Sequence, residues 1–265
     1  MNGISNGQIN RHAAQVYDAF FAPALFAEWA SRLADVAQLE PGQTVLDVAC
    51  GTGLCARAAL ARVRPDGKVS GLDCNPDMLA VANRQEPRID WRLGRAESLP
   101  YADASFDVVA CQFGLMFFED RSAALRDMWR VLKPGGRLVV AVWDILEHTP
   151  GYAAMTALLL RLFGQSIANE LRAPFVLGDP DKLRDLFTAA GISPIEHTRI
   201  VGTACFPSLH DWVQTDIKGW TLADKIDDTQ FALLLDEADT ELGRFRRADG
   251  SVVFDSPAHI VSARK

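Results

Sequence analysis

The stretch VLDVACGTG at residues 45–53 constrains the fold most strongly, because it joins a short apolar strand to a glycine turn that opens an alanine-rich helix. Gly51 and Gly53 permit a tight turn and let the backbone approach a ligand without Cβ clashes, while the N-terminus of the next helix offers unpaired N–H groups. Asp47 places a carboxylate near the same strand end. The stretch therefore predicts a site for a nucleotide-like cofactor that bears positive charge and hydroxyls rather than phosphates.

Short apolar runs alternate with helical patterns along most of the chain. The predicted strands are residues 44–49, 68–73, 89–93, 106–111, 137–143, 195–201 and 259–263. Such alternation is typical of a parallel, doubly wound sheet whose ligand lies beyond the carboxyl ends of the strands. We therefore predict an α/β fold: a Rossmann-like, seven-stranded, mostly parallel sheet with helices on both faces.

The chain is predicted to form a single domain over residues 1–265, with a cofactor-binding core at 41–143. Residues 1–40 are predicted to be an N-terminal helical lid, interrupted at Pro23. Residues 144–265 form a substrate-side region, in which a helical cap at 207–246 is inserted before the last strand. The Lys-Pro-Gly-Gly run at 133–136 is predicted to end a helix at 122–132, since proline cannot continue it and glycine suits its cap.

Charge and composition narrow the possible partners. The net charge of −7 comes from 34 acidic and 27 basic residues without a basic block, which argues against a nucleic-acid partner. No stretch approaches the roughly eighteen apolar residues of a membrane span, and the first residues lack the pattern of a secretory signal. We expect a cytoplasmic protein with a small-molecule substrate, reduced cysteines, no metal site and no stable membrane insertion. The sequence does not predict an oligomeric state.

Five motifs in order carry a resemblance to a known family: VLDVACGTG at 45–53, GLD at 71–73 with PDM at 76–78, GRAESLP at 94–100, SFDVV at 105–109, and VLKPGG at 131–136. The chain resembles the class I S-adenosylmethionine-dependent methyltransferases, and more narrowly the small-molecule branch similar to the ubiquinone and menaquinone biosynthesis methyltransferases. The resemblance covers roughly residues 15–200. It implies that the cofactor is S-adenosylmethionine, with S-adenosylhomocysteine as the product.

Asp73 is the strongest single site prediction, because it ends the second strand about twenty residues beyond the glycine loop, where a carboxylate can accept both hydroxyls of a ribose. The resemblance extends the predicted set. The predicted cofactor-binding residues are Tyr17, Asp47, Ala49, Gly51, Gly53, Asp73, Cys74, Met78, Arg95, Ala96, Glu97 and Gln112. The predicted substrate-binding residues are Trp29, Phe113, Phe117 and Trp143. Arg95 stands where the family often has an aspartate, and Glu97 is the alternative partner of the adenine amino group.

Two other functions fit parts of the sequence. Gly51 to Ala56 also satisfies the dinucleotide pattern G-x-G-x-x-A, which would make the chain an NAD(P)-dependent oxidoreductase with Asp73 on the ribose. A non-catalytic S-adenosylmethionine-binding protein is the second alternative, since a fold does not dictate a function. The leading hypothesis is methyl transfer to an oxygen, nitrogen or carbon of a small, aromatic or quinone-like acceptor. His148 and Asp144, just past the fifth strand, are the candidate catalytic bases.

Overall fold

A computed structural model describes residue 14, residues 16–219 and residues 222–265. The first thirteen residues of the predicted lid, and residues 220–221 of the predicted cap, lie outside the described residues. The strands are β1 (Thr44–Val48), β2 (Lys68–Asp73), β3 (Asp90–Leu93), β4 (Phe106–Gln112), β5 (Leu132–Trp143), β6 (Glu196–Phe206) and β7 (Val252–Arg264). The helices are a π-helix (Tyr17–Phe26), α1 (Ala27–Val36), α2 (Leu54–Val63), α3 (Pro76–Gln85), α4 (Arg121–Val131), α5 (Pro150–Phe163), α6 (Gln165–Arg172), α7 (Pro180–Ala189), α8 (Leu209–Lys218) and α9 (Asp228–Leu242).

The seven strands form one sheet in the order β3-β2-β1-β4-β5-β7-β6. Strands β1 to β5 are parallel, and β7 runs antiparallel to both β5 and β6. The chain builds outward from β1 to β3 and then returns to β4, so the direction of winding reverses between β1 and β4. A crevice for a ligand is expected at such a reversal, beyond the carboxyl ends of the strands. The predicted fold class is confirmed.

The lid is a continuous helical segment in which the π-helix leads directly into α1. Pro23 lies inside the π-helix, where a prolyl ring would meet the carbonyl of the preceding turn in a regular α-helix. The wider π turn accommodates the ring without ending the helix. The predicted interruption at Pro23 is therefore wrong. None of the described helices is long and apolar enough to cross a bilayer.

The Lys-Pro-Gly-Gly run does not cap a helix. Helix α4 ends at Val131, Leu132 is already extended, and residues 133–136 form the start of β5. The pairing of β4 with β5 passes from Phe106–Leu132 to Val108–Arg137, so the extra residues bulge out of the ladder. Gly135 has a φ of +81° in this bulge. The helix thus ends within one residue of its predicted limit, but residues 133–136 pair in the sheet and do not form the predicted glycine cap.

Gly53, the residue before α2, has a φ of +85°, and a Cβ built on it would lie 2.4 Å from Cη2 of Trp91. Gly42 has a similar φ of +88° with open space around it. We expect Gly53→Ala to lower the free energy of unfolding by about 2–4 kcal/mol, from the left-handed backbone and from overpacking together. Gly42→Ala should lower the free energy of unfolding by about 1–2 kcal/mol, because only the strain of the left-handed backbone applies there. Urea denaturation measures both, and equal losses would remove the Trp91 contact from the explanation.

Candidate active site

A cleft of about 1080 Å³, measured to its open mouth, lies beyond the carboxyl ends of the central strands. Most of the residues predicted to bind the cofactor or substrate line it: Tyr17, Ala49, Gly51, Asp73, Cys74, Met78, Arg95, Ala96, Glu97, Gln112, Phe113, Phe117 and Trp143. The sequence interpretation missed six other lining residues: Phe26, Leu72, Asn75, Gly94, Gly114 and Phe118. Five of the six adjoin residues that it did name. Three of these five, Asn75, Gly94 and Gly114, follow strand ends, and that position could have indicated them.

Asp73, at the end of β2, links two backbone segments that line the cleft. Its Oδ2 accepts a hydrogen bond from the Gly51 amide at 2.8 Å, and its Oδ1 accepts one from the Asn75 amide at 2.8 Å. Burial raises the pKa of Asp73, while these amides and that of Cys74 lower it. Each carboxylate oxygen has lone-pair capacity beyond these bonds. Asp73 therefore positions the glycine loop and can accept further hydrogen bonds from two neighbouring hydroxyls.

Two non-glycine residues at the strand ends beside this loop have left-handed backbones. Ala49, after β1, has a φ of +57°, and Phe113, after β4, has a φ of +55°. Gly114 allows the two loops to meet, because a Cβ on it would lie 2.5 Å from Cβ of Ala49. Left-handed non-glycine residues are uncommon and concentrate at functional sites. The strain therefore marks the junction of β1 and β4 as the centre of the site.

Gln112 supplies an unsatisfied acceptor at the same end of the cleft. Its Nε2 donates to the Phe26 carbonyl at 3.5 Å, and its buried Oε1 has no hydrogen-bond partner among the described residues. Tyr17 closes this end from the lid and stacks on Phe26 at 5.4 Å between ring centroids. Burial, followed by the charge of Asp73, raises the pKa of Tyr17, so its hydroxyl stays protonated. A ligand with an ammonium group would satisfy the Gln112 oxygen.

Arg95 does not make the cleft basic. Its guanidinium lies 2.8 Å from a carboxylate oxygen of Glu119 and 3.3 Å from one of Glu97. Glu97 also accepts a hydrogen bond from the Glu119 amide at 3.1 Å. Since Arg95 is neutralised locally and Asp73 adds an acid, the cleft favours a cationic ligand over a pyrophosphate. The unpartnered Gln112 oxygen and the Asp73 carboxylate thus fit S-adenosylmethionine.

Aromatic side chains form a wall at the same end of the cleft as Gln112. The rings of Phe113 and Trp143 stack with centroids 3.8 Å apart and planes within 9° of parallel. Phe26 contacts both rings, with centroid distances of 5.6 Å to Phe113 and 5.8 Å to Trp143. Phe117 lines the cleft near this wall. Ring faces attract cations, so this wall suits a positively charged sulfur centre.

Asp47 and Gly53 are predicted cofactor residues that do not line the cleft. Asp47 is buried beneath the glycine loop, where burial raises its pKa to about 7 and the Ala56 amide in α2 lowers it in part. Gly53 lies against the ring of Trp91 instead. Both lie in the interior, Asp47 within β1 and Gly53 directly before α2.

Trp29 is a core residue rather than part of the cleft surface. It is fully buried on α1, edge-on to both Phe113 and Trp143 at 5.6 Å and 5.9 Å. Its ring also covers Gly202 of β6, where a Cβ would lie 2.4 Å from its Cζ2. Trp29 was predicted to bind substrate. Its helix does lie beside the site, but its side chain packs behind the aromatic wall and does not line the cleft.

Asp144 and His148 form a pair that also lies away from the cleft. The His148 ring nitrogen Nδ1 is 2.9 Å from Asp144 Oδ2, and neither residue is among the described residues that line the cleft. Asp144 is buried and accepts a hydrogen bond from Arg199 at 2.6 Å, and His259 lies 3.1 Å from its other oxygen. Burial opposes the effect, but the bonds from Arg199 and His148 hold the pKa of Asp144 below its usual value. The contacts of Asp144 therefore link β5 to β6 and β7. Its position does not favour the catalytic role predicted for Asp144 and His148.

A seven-stranded sheet of this order, with an acidic cleft beyond its central strands, defines the class of S-adenosylmethionine-dependent methyltransferases. The model of the ubiE/COQ5 methyltransferase family matches residues 13–209. The chain therefore belongs to the ubiE/COQ5 methyltransferase family. The family and cofactor predicted from the sequence are confirmed, and neither the oxidoreductase nor the non-catalytic alternative is favoured.

Two relatives agree with this assignment, and a solved structure shares the fold. A ubiquinone/menaquinone biosynthesis C-methyltransferase from Bordetella avium is 31% identical over 75% of this chain and 82% of its own length. A demethylmenaquinone methyltransferase from Chlorobaculum tepidum is 47% identical over 45% of this chain, and the match spans 47% of that relative's length. A phosphoethanolamine N-methyltransferase from Haemonchus contortus shares the fold, with a TM-score of 0.62, 17% identity and coverage of 96% of this chain and 57% of that one.

Proposed function

We propose that the chain transfers a methyl group from S-adenosylmethionine to a ring carbon of a small, quinone-like acceptor. The observation that carries the proposal is the acidic cleft at the β1–β4 junction, in which Asp73 and the unpartnered Gln112 oxygen face a stacked aromatic wall. The names of the relatives support a quinone-like acceptor and a carbon atom. We also propose a single domain, in which the lid and cap are parts of one structure.

The residues of the cleft have a positioning role in this proposal. When bound, the cofactor supplies a methyl group already activated on a sulfonium. Asp73 would hold the ribose hydroxyls, Gln112 would orient the ammonium group, and the wall of Phe113 and Trp143 would exclude water from the sulfur. Holding two reactants in line can supply roughly 7–11 kcal/mol of a barrier. Such chemistry needs alignment more than a catalytic triad.

Calorimetric titration with S-adenosylhomocysteine, alongside NAD(H) and NADP(H), tests the cofactor part of the proposal. We expect micromolar binding of S-adenosylhomocysteine and none of the dinucleotides. Incubation with S-adenosylmethionine and 1,4-naphthohydroquinone, followed by mass spectrometry, tests the transfer: the ring should gain one methyl group and release one proton. Dinucleotide binding without S-adenosylhomocysteine binding would contradict the proposal.

His148→Ala should leave the affinity for S-adenosylhomocysteine and the methylation rate within about twofold of the wild type, because the side chain lies outside the cleft. Arg199→Ala is the contrasting variant in the same cluster. It removes a hydrogen bond from the buried Asp144 carboxylate and should cost about 1–3 kcal/mol of stability. Steady-state kinetics and thermal denaturation measure the two effects. A large loss of turnover in His148→Ala with normal cofactor affinity would restore His148 as a base.

A further inference from the structure

A second cavity, here called the inner pocket, adjoins the cofactor cleft and shares Phe26 and Trp143 with it. About 510 Å³ of space lies within it, part of which is open to solvent. Apolar side chains from the lid and from the segment after α6, such as Leu25 and Phe175, form much of its wall. Because Trp143 also stacks on Phe113, the inner pocket begins at the aromatic wall that suits the sulfonium of the cofactor. Its lining suits a largely apolar molecule.

One polar pair stands in this apolar wall. Asp216 on α8 is buried, with 3% of its surface exposed, and its Oδ1 accepts a hydrogen bond from the Tyr152 hydroxyl at 3.2 Å. Its other oxygen, Oδ2, is buried and has no hydrogen-bond partner among the described residues. Glu170, the other acid that lines the inner pocket, is already ion-paired with Lys225. Asp216 is thus a buried polar group with unused hydrogen-bonding capacity inside an apolar cavity.

The protonation state of Asp216 also suits a role in binding a ligand by hydrogen bonds. Burial raises its pKa to about 8, and the Tyr152 hydroxyl and the neighbouring Trp212 indole lower it only in part. Burial also raises the pKa of Tyr152, so that the pair is uncharged near neutral pH. A protonated carboxyl can donate to a carbonyl and accept from a hydroxyl. Both oxygen groups occur on quinone and quinol rings.

Asp216 also lies beyond the part of the chain that defines the family. The family model ends at residue 209, whereas Asp216 and Leu222 of the inner pocket follow it. Residues within the model supply the cofactor cleft and Tyr152. Asp216 is therefore contributed to the inner pocket by a segment that the family match does not include.

We propose that the inner pocket is the acceptor site and that Asp216, oriented by Tyr152, binds a ring oxygen of the acceptor and so determines its selectivity. The inference rests on the proposed function, because it places the acceptor next to the methyl group of the cofactor. The ligand class is a bicyclic or monocyclic aromatic ring with a hydroxyl or carbonyl group. A ring without such oxygen would leave the buried carboxyl unpaired.

The test compares 1-naphthol with 1-methylnaphthalene, which has nearly the same shape but no hydroxyl. Binding of each is measured by tryptophan fluorescence on the full chain saturated with S-adenosylhomocysteine. We expect the wild type to prefer 1-naphthol by about tenfold or more, since a site built to bind a hydroxyl rejects the analogue that lacks it. Asp216→Leu should abolish the preference while it retains 1-methylnaphthalene, and Tyr152→Phe should reduce the preference in part.

Thr156→Val is the matched control, because Thr156 is buried on the same helix as Tyr152 with an unpartnered hydroxyl but does not line the inner pocket. It should keep the full preference. Affinity for S-adenosylhomocysteine is measured on every variant to confirm an intact fold. Failure of the wild type to bind S-adenosylhomocysteine would overturn the proposed function itself. Normal binding of it, together with no preference for 1-naphthol or with a preference that survives Asp216→Leu, would overturn the assignment of Asp216 alone.

Discussion

Asp73→Ala is expected to weaken binding of S-adenosylhomocysteine by about 100-fold or more. Hydrogen bonds to a charged acceptor contribute about 1.5–3 kcal/mol each, and the ribose would lose two of them. The substitution also frees the Gly51 and Asn75 amides that the carboxylate now holds, so the glycine loop loses its anchor. Isothermal titration calorimetry measures the change directly.

Two further variants separate the causes of this loss. Asp73→Asn keeps the size of the side chain and one acceptor oxygen, so its loss should lie between those of the wild type and the alanine variant. Asp90→Ala makes the same change in net charge on the exposed end of β3, where Asp90 pairs with Arg92. It should bind S-adenosylhomocysteine normally. Unchanged affinity in a folded Asp73→Ala protein would remove Asp73 from the cofactor site.

Trp29→Ala is expected to lower the free energy of unfolding by about 3–5 kcal/mol, as for other buried tryptophans. The substitution would leave a cavity behind both Phe113 and Trp143 and uncover Gly202. Denaturation with guanidinium chloride, followed by circular dichroism, measures the loss. Trp129→Ala on α4, where the ring is only partly buried, is the matched control and should cost less. Equal losses would contradict the assignment of Trp29 to the core.

Most of the fold could be predicted from the sequence, because the spacing of apolar residues and the glycine, asparagine and proline residues at the ends of elements are local signals. Strand β2 was predicted at its observed limits, Lys68–Asp73, since Gly67 precedes it and Asn75-Pro76 follows it. The lengths of β6 and β7 could not be predicted. These two strands pair with each other along the whole of β6, and that pairing depends on residues some sixty positions apart, such as Glu196 and Ser262.

The site was predictable where the main chain determines it and less so where side chains do. Asp73 and Gly51 could be predicted from a strand end and a turn, and in the structure the Gly51 amide nitrogen lies 2.8 Å from Asp73 Oδ2. His148 and Asp144 follow a strand end in the same way, yet Arg199 and His259 draw Asp144 toward β6 and β7. Asp216 had no sequence signal at all, because a single acid on an amphipathic helix is usually a solvated residue. Only the three-dimensional structure, in which Tyr152 of α5 contacts Asp216 and Trp212 of α8, shows that it is buried.

The shared wall of Phe26 and Trp143 has a consequence for how this chain could acquire new activities. One side of the wall is built by strand ends and the other by the lid and by helices inserted between the last strands. Substitutions on the second side can alter which molecule is accepted while the sheet and Asp73 stay untouched. Libraries that diversify α8 together with Phe21 and Leu25, the lid residues that line the inner pocket but not the cofactor cleft, therefore offer a direct route to altered selectivity at constant cofactor affinity.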